Sequence, residues 1–243
     1  APDLVRDRLS TTCKQFQDFA GIDITLEPME VAPTMHHVMG GAVIDEECRT
    51  SLKSLYACGE VVGGIHGGNR IGGNALAEGQ VFGAIAGQMA AEEARAAGPG
   101  NGDILRSGDE LARWFASKLG NGGGNSRPCH IKRGLQEIMT TRVGIVRDES
   151  GLREAVDAID NLEEEFQQVG VRDGRLPFDQ DVIDYLEVRN MLPFSKLVAR
   201  SALLRRESRG SHYRSDFPDS DEADFSGNIF ALGEEVWPEK KWS

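Results

Sequence analysis

The second half of the chain repeats apolar residues at three- and four-residue spacing, which is typical of amphipathic helices packed around one core. Ser126 is placed to cap a first helix with Pro128 in its first turn, and its apolar positions include Ile131, Leu135 and Ile138. Asp148 is placed to cap a second helix, whose apolar stripe is Leu152, Val156, Ile159, Phe166 and Val169. A third helix is predicted over residues 179–206, with a kink at Pro193. These helices predict a bundle.

The first half mixes helices with short β-like runs. Residues 1–20 predict a helix that Gly21 ends, with an apolar side made by Leu4, Val5, Leu9, Phe16 and Phe19. Runs rich in β-branched or apolar residues predict three strands, in "IDITLEP", "GGAVID" and "SLYACGEVV". An Ala-rich helix follows Gly73. The predicted fold class is therefore α/β in the first half, followed by an α-helical bundle.

Two further segments complete the predicted organisation. Glycine-rich stretches flank a short helix over residues 104–119, so they are interpreted as linker and hinge. The last stretch, from residue 211, has no clear period and is expected to lie over the surface of another element.

Composition and charge exclude several classes of protein. The 243 residues carry a formal net charge of -12 with Lys and Arg spread among acids, which argues against a nucleic-acid surface. No apolar run approaches the roughly 20 residues that span a bilayer, and the N-terminus lacks a signal-peptide pattern. We expect a cytoplasmic chain with no membrane span of its own.

The cysteines point to no metal centre. They have neither CxxC spacing nor His neighbours at ligand spacing, and they are Cys13, Cys48, Cys58 and Cys129. We therefore predict that the thiols are reduced and that the chain binds no metal.

The stretch "GGIHGGNRIGGNALAEGQVFGAIAG", residues 63–87, joins a glycine loop to a helix start, and Glu60 precedes it at the end of a predicted strand. A helix N-terminus exposes unpaired N–H groups that favour an anionic ligand, and a carboxylate at a strand end can accept ribose hydroxyls. The pattern indicates a nucleotide-type cofactor, although such loops also occur as plain turns. The fingerprint GxGxxG is not found in its usual context, so the phosphate-binding wall must come from elsewhere.

Three motifs occur in order along the chain: "APTMHHVMGG", "LYACGEVVGGIHGGNRIGGNALAEGQVFGAIAG" and "RRESRGSHYRSDFP". They resemble the motifs of the succinate dehydrogenase and fumarate reductase flavoprotein family, and the resemblance covers residues from about 1 to 220. L-aspartate oxidase and adenylylsulfate reductase flavoproteins are relatives. The resemblance implies the C-terminal part of a Rossmann-like FAD-binding domain followed by the helical bundle.

The resemblance also implies roles for individual residues. Glu60 would hold the FAD ribose, and the helix start would border the isoalloxazine ring through Gly72, Gly73, Asn74, Ala75 and Leu76. Arg70 and His36 match the catalytic residues that bind the substrate dicarboxylate, Arg70 through two parallel charge-assisted bonds. His66 would contact substrate or cofactor, or make a bond within the loop.

Some motif residues have a structural interpretation instead. His37 is interpreted as a packing or rim residue. Arg209, His212 and Arg214 could form an anion site, but the family motif favours a brace between the helical region and the flavin domain.

The implied domains are residues 1–100, the C-terminal portion of the FAD-binding domain with the return from a capping domain; 101–126, a linker and short helix; 127–215, the bundle; and 216–243, an extended tail. Family members also have an N-terminal dinucleotide-binding half and a capping domain that carries the proton-transferring arginine. We therefore expect a fragment, or a split subunit that needs the N-terminal half from another polypeptide.

The implied reaction is hydride transfer between FAD and a four-carbon dicarboxylate, fumarate or succinate, and an iron–sulfur subunit is a further partner by analogy. That assembly could bring the chain to a membrane surface. Two alternatives stay open: an L-aspartate oxidase-like enzyme, and a non-catalytic electron-transfer flavoprotein subunit of a larger complex.

Overall fold

The structure is a computed structural model that describes residues 2–33, 35–98, 103–117, 126–171 and 179–239. The chain divides into two compact units, residues 1–38 and 39–243.

The first unit begins with two short helices, α1 (Pro2–Arg8) and α2 (Ser10–Ala20). Gly21 ends α2 in a left-handed conformation, as predicted, and its N–H donates to the carbonyl of Gln17. Neither helix contains a buried residue. The predicted apolar side is therefore at most half-buried, and it is most exposed at Phe19, at 88%.

The strand predicted in "IDITLEP" is wrong. Residues 24–27 form a turn around Asp23, whose Oδ1 accepts hydrogen bonds from the Thr25 N–H at 2.9 Å and the Thr25 hydroxyl at 2.6 Å. An Asp side chain that bonds the backbone two residues on favours a turn, and this local contact outweighs the β-branched character of the run.

The second unit is mostly helical. Its helices are α3 (Asn74–Ala97), α4 (Asp103–Ala116), α5 (Pro128–Arg142), α6 (Glu149–Phe166) and α7 (Gln180–Leu204). Its short strands are β1 (Val146–Arg147), β2 (Tyr213–Arg214), β3 (Ile229–Leu232) and β4 (Glu235–Pro238). Strands β1 and β2 pair in parallel, and β3 and β4 form an antiparallel hairpin.

The predicted strands "GGAVID" and "SLYACGEVV" form only single bridges. Ala42 pairs in parallel with Val62, and Arg49 pairs antiparallel with Tyr56. Residues Gly59–Val61 form a 3₁₀ turn instead of a strand end. A ladder extends only where successive residues find partners. Among the described residues the first run is bridged at one position and the second at two separate positions.

Helices α5, α6 and α7 pack on one another and enclose the main core, which confirms the predicted bundle. The predicted stripe residues Ile131, Leu135, Leu152 and Ile159 are each at most 1% exposed. Ile138 and Val156 pack against this core while partly exposed. The three-and-four periodicity therefore identified the buried faces, because burial of one stripe per helix is what stabilises a bundle.

One of the two predicted helix caps is confirmed, and Asp179 adds a cap that was not predicted. The side chain of Asp148 accepts from the Gly151 N–H at 2.8 Å and caps α6, and Asp179 caps α7 in the same manner. The predicted cap at Ser126 is wrong, because Arg127 is the N-cap of α5 and Pro128 its first residue. Proline preorganises that first turn without a capping side chain.

The short helix predicted before the bundle is α4, and residues 118–119 of that prediction lie outside the described residues. Trp114 of α4 packs against the bundle core, and the Arg189 guanidinium of α7 lies 4.2 Å from the centre of its indole ring. Pro193 lies inside α7, which continues past it. The kink predicted there stays a prediction.

The C-terminal stretch lies against another element, as expected, but it forms a hairpin there. Strands β3 and β4 both contact α7. Lys196 of α7 joins this hairpin to the bundle, with Asp160 at 2.5 Å, Glu163 at 3.0 Å and Glu234 at 3.4 Å from its ammonium nitrogen.

Candidate functional site

The glycine loop, residues 63–73, starts from a close backbone contact. The Ala42 N–H donates to the Val61 carbonyl at 2.8 Å, and the Gly63 N–H donates to the Ala42 carbonyl at 3.1 Å. A Cβ atom at Gly41 would lie 2.1 Å from the Val61 oxygen. This approach requires glycine at position 41, and it fixes where the loop leaves the preceding segment.

A buried carboxylate positions the turn that carries Glu60. Glu78 of α3 is 7% exposed, and its Oε1 accepts from the Gly59 N–H at 2.9 Å. The Glu60 side chain itself is exposed. Glu78 was not predicted from the sequence, where it stands as an acid among the small and apolar residues of the Ala-rich helix.

The far end of the glycine loop leads into α3 as predicted. Gly73 is the N-cap residue of α3, and no described side chain caps this end. A Cβ atom at Gly72 or Gly73 would have no neighbour within 4 Å. Ile71 is 75% exposed and Leu76 is 80% exposed. The loop therefore presents open backbone and helical N–H groups beside apolar side chains, a surface that suits a flat ring with an anionic edge.

The predicted site residues of the second unit share this loop. Glu60 precedes it, His66 and Arg70 are half-buried within it, and Asn74, Ala75 and Leu76 follow in the first turn of α3. His36 belongs to the first unit, where it is exposed, whereas His37 is buried. The burial of His37 agrees with a packing role.

The third motif contacts the glycine loop directly. The Ser211 N–H donates to the Gly68 carbonyl at 3.0 Å, and the Ser211 hydroxyl is 3.3 Å from the same oxygen. Arg214 of this motif donates to the carbonyls of Ala202 and Leu203 at the end of α7. The motif therefore joins the bundle to the glycine loop, which confirms the predicted brace.

A fully buried carboxylate holds this motif together. Glu207 accepts from Arg205, from the Arg209 guanidinium at 2.9 and 3.1 Å, and from the Asp221 N–H at 2.7 Å. Burial alone would raise the pKa of Glu207, but the bonds from Arg209, Asp221 and Arg205 outweigh it and the pKa is lowered. Arg209 is thus committed to a protein carboxylate rather than to an anion site.

His212 of the motif is held as a neutral ring between two partners. Its Nδ1 lies 2.8 Å from the Arg147 guanidinium, and its Nε2 lies 3.2 Å from the Arg205 carbonyl oxygen. An arginine only donates and a carbonyl only accepts, so Nε2 carries the proton. Arg147 also donates to the carbonyls of Val143 and Gly144 at the end of α5. The sequence analysis did not identify Arg147.

Burial, followed by the charge of Arg147, lowers the pKa of His212 from 6.5 to about 4. Below pH 6.5 the unfolded chain therefore binds a proton here that the folded chain excludes. We expect the free energy of unfolding to fall as pH decreases from 6.5 to 4, by on the order of 1–2 kcal/mol between pH 7 and pH 5. Urea unfolding across this range measures the slope.

The control is His212→Gln, because a glutamine amide can also donate to the Arg205 carbonyl and accept from Arg147. This variant should have the wild-type free energy of unfolding at pH 7. Its free energy of unfolding should then fall less than that of the wild type as pH decreases, because the contribution of His212 is lost. An unchanged slope in H212Q would contradict the assignment.

The described residues also form a cavity outside the glycine loop. A cavity of about 310 Å³ lies where residues 41–43 and 50–55 meet strand β3, and none of the predicted site residues lines it. Among the described residues, no group of three or more His, Cys, Asp or Glu side chains could hold a metal ion. None of the helices in the described ranges is long and apolar enough to cross a membrane.

Two family models match the chain. Residues 132–237 match the "fumarate reductase flavoprotein C-term" model, and residues 2–76 match the "FAD binding domain" model. The FrdA protein of Escherichia coli quinol fumarate reductase, solved as a variant, superposes on 93% of the chain with a TM-score of 0.85 at 32% identity. The chain belongs to the fumarate reductase and succinate dehydrogenase flavoprotein family. The predicted fold class is confirmed by the same match.

Two curated relatives extend the family likeness along the whole chain. An uncharacterized FAD-dependent oxidoreductase of Methanocaldococcus jannaschii is 42% identical over 98% of this chain. One component of the CoM/CoB fumarate reductase of Methanothermobacter marburgensis is 44% identical over 90% of it. This chain spans 42% and 39% of the lengths of these two relatives. It also spans 39% of the FrdA chain.

Proposed function

We propose that this chain supplies the substrate-facing wall of an FAD-dependent oxidoreductase that interconverts fumarate and succinate. The observation that carries the proposal is the glycine loop. The loop holds the family motif intact. It is fixed at its first end by contacts to Ala42, at its other end by α3, and at Gly68 by Ser211. Bound FAD would supply a hydride acceptor and donor. The family membership supports this assignment, since its named relatives include fumarate reductases.

The residues present fit FAD at three points. The exposed Glu60 carboxylate can accept hydrogen bonds from the ribose hydroxyls, and Glu78 holds its turn in place. Gly72 and Gly73 leave room for a ring to lie against the backbone. The uncapped first turn of α3, with the N–H groups of Ala75 and Leu76, would stabilise negative charge on a reduced flavin.

Arg70 and His36 are proposed to bind the carboxylates of the substrate. The planar guanidinium of Arg70 can donate two parallel hydrogen bonds to a carboxylate, and the His36 ring can donate a hydrogen bond to a carboxylate oxygen. This orients the reacting carbons and removes much of the entropic barrier to hydride transfer. His66, on the same loop as Arg70, is proposed as a further substrate contact.

The proposed protein also needs partners. This chain spans about two fifths of its relatives' length, and we infer that it works with the N-terminal FAD-binding and capping half, on the same or a second polypeptide. An iron–sulfur subunit is the proposed electron carrier. We propose a cytoplasmic location for this assembly, peripheral to a membrane if its partners are bound there.

The first experiment purifies the native assembly and measures its mass, the masses of its chains and its flavin spectrum. Bound FAD that is reduced by dithionite and then reoxidised by fumarate is the expected result. Flavin that is not reoxidised by fumarate would overturn the proposal. Aspartate that reduces the oxidised flavin would identify an L-aspartate oxidase instead, and flavin inert to both would leave an electron-transfer subunit.

A further inference from the structure

The glycine loop is held at Gly68 by a turn of the third motif, and this contact bears on substrate binding. We propose that Gly210 and Ser211 are positioning residues for Arg70, because they fix the loop two residues before it. The inference rests on the proposed function for its kinetic readout, since Arg70 is the proposed carboxylate ligand.

The contact is too close for any residue except glycine. Gly210 has a φ of +58°, and a Cβ atom built there would lie 2.0 Å from the Gly68 oxygen and 2.8 Å from the Gly68 Cα. The next residue, Ser211, donates its N–H to that same oxygen at 3.0 Å. One carbonyl of the loop is therefore held by a hydrogen bond and by van der Waals contact at once.

The turn that makes this contact is itself rigid. The Arg209 N–H and the His212 N–H donate to each other's carbonyls at 2.8 and 2.9 Å. The Arg209 side chain is bound to the buried Glu207, and Arg214 anchors the following strand to the end of α7. The bundle core therefore determines the position of Gly68 through covalently adjacent, hydrogen-bonded residues.

This arrangement explains why a glycine-rich loop can carry a binding residue. Glycine gives the loop the conformations that a close ligand requires, but it also leaves the backbone free to move. An arginine displaced by about 1 Å can cost about 100-fold in rate, because the reacting atoms no longer meet in a productive geometry. The Gly210–Ser211 turn supplies the restraint that the loop's own composition lacks.

The test is Gly210→Ala in the FAD-loaded flavoprotein that contains this chain. The kcat/KM for fumarate, per bound flavin and with a reduced viologen as donor, is expected to fall about 100-fold while the flavin content is retained. The backbone amides of residues 63–73 are expected to exchange faster with deuterium. A variant that is only less stable would lose flavin or folded protein without losing kcat/KM per flavin.

Gly233→Ala is the matched control. Gly233 lies in the β3–β4 hairpin with a φ of +59°, and a Cβ there would have no neighbour within 4 Å. The two variants share the strain of a positive φ, and only G210A displaces the loop. Equal kinetics and equal loop exchange in G210A and G233A would overturn the proposal.

A second variant covers the case in which G210A does not fold. Arg209→Gln loosens the turn but leaves Glu207 bound to Arg205 and to the Asp221 N–H. It is expected to lower kcat/KM about tenfold and to speed exchange in the loop, because the turn loses the two hydrogen bonds from Arg209 to Glu207. Unchanged exchange in R209Q would reject the positioning role. If the parent flavoprotein does not reduce fumarate, only the proposed function fails. The comparison of hydrogen exchange still tests whether the Gly210–Ser211 turn restrains the loop.

Discussion

Arg70→Lys in the FAD-loaded flavoprotein is expected to lower kcat/KM for fumarate by about a thousandfold, the loss of roughly 4 kcal/mol of transition-state binding. Arg70 is half-buried in the glycine loop and is the proposed carboxylate ligand. Lysine keeps the positive charge but not the planar pair of donors, so it cannot form two parallel bonds to one carboxylate. Steady-state fumarate reduction per bound flavin measures the change.

The control for this prediction is Arg95→Lys. Arg95 is exposed in the last turn of α3, the helix that the glycine loop enters, so the same chemical change is made outside the loop. R95K should keep wild-type kinetics, and both variants should keep their flavin. An R70K enzyme within about tenfold of the wild type would exclude a two-bond role for Arg70.

The sequence predicted the bundle well because its information is local. Periodicity gives the buried face of each helix directly, and Ile131, Leu152 and Ile159 are buried where the stripe placed them. The cap at Asp148 is equally local, since it joins a side chain to an N–H three residues away. The Ser126 cap failed because Pro128 and the extended Arg127 were sufficient to start the helix.

The strands were predicted poorly because a strand depends on distant partners. "IDITLEP" has the composition of a strand, but Asp23 and Thr25 form a turn through contacts two residues apart. Ala42 and Val62 do pair, yet only at one position. Strand propensity describes a fit to a sheet, so it could not reveal how much sheet these residues would find.

The site itself was predicted from motif order, and its supports were not. The loop, its exit into α3 and the brace were expected, whereas Glu78 and Arg147 gave no recognisable signal. Glu78 acts through a bond to Gly59 across 19 residues, and Arg147 through a bond to His212 across 65. Residues that position a site over such separations become visible only once the fold brings them together.

Arg214 is expected to contribute more to stability than any exposed ion pair, because its side chain is fully buried, the largest such side chain among the described residues. Its guanidinium makes two 2.7 Å bonds to Asp216 and donates to the Ala202 and Leu203 carbonyls at the end of α7. Arg214→Met would leave the Asp216 carboxylate with only the Glu149 N–H as a donor, at 2.9 Å, and would remove the Arg214 donor from the helix carbonyls. We expect the free energy of unfolding to fall by about 3–5 kcal/mol, the usual cost of breaking a buried pair.

Urea unfolding at pH 7 measures this loss, and Arg153→Met provides the comparison. Arg153 also pairs with a carboxylate, Glu149 at 2.6 Å, but 60% of its side chain is exposed. Water replaces most of the stabilisation that this exposed pair provides. R153M should therefore lower the free energy of unfolding by no more than about 0.5 kcal/mol. The two variants remove the same group and differ in burial. A cost below about 1 kcal/mol for R214M would mean that water or a rearranged α7 end replaces the buried bonds, and that the brace does not depend on this arginine.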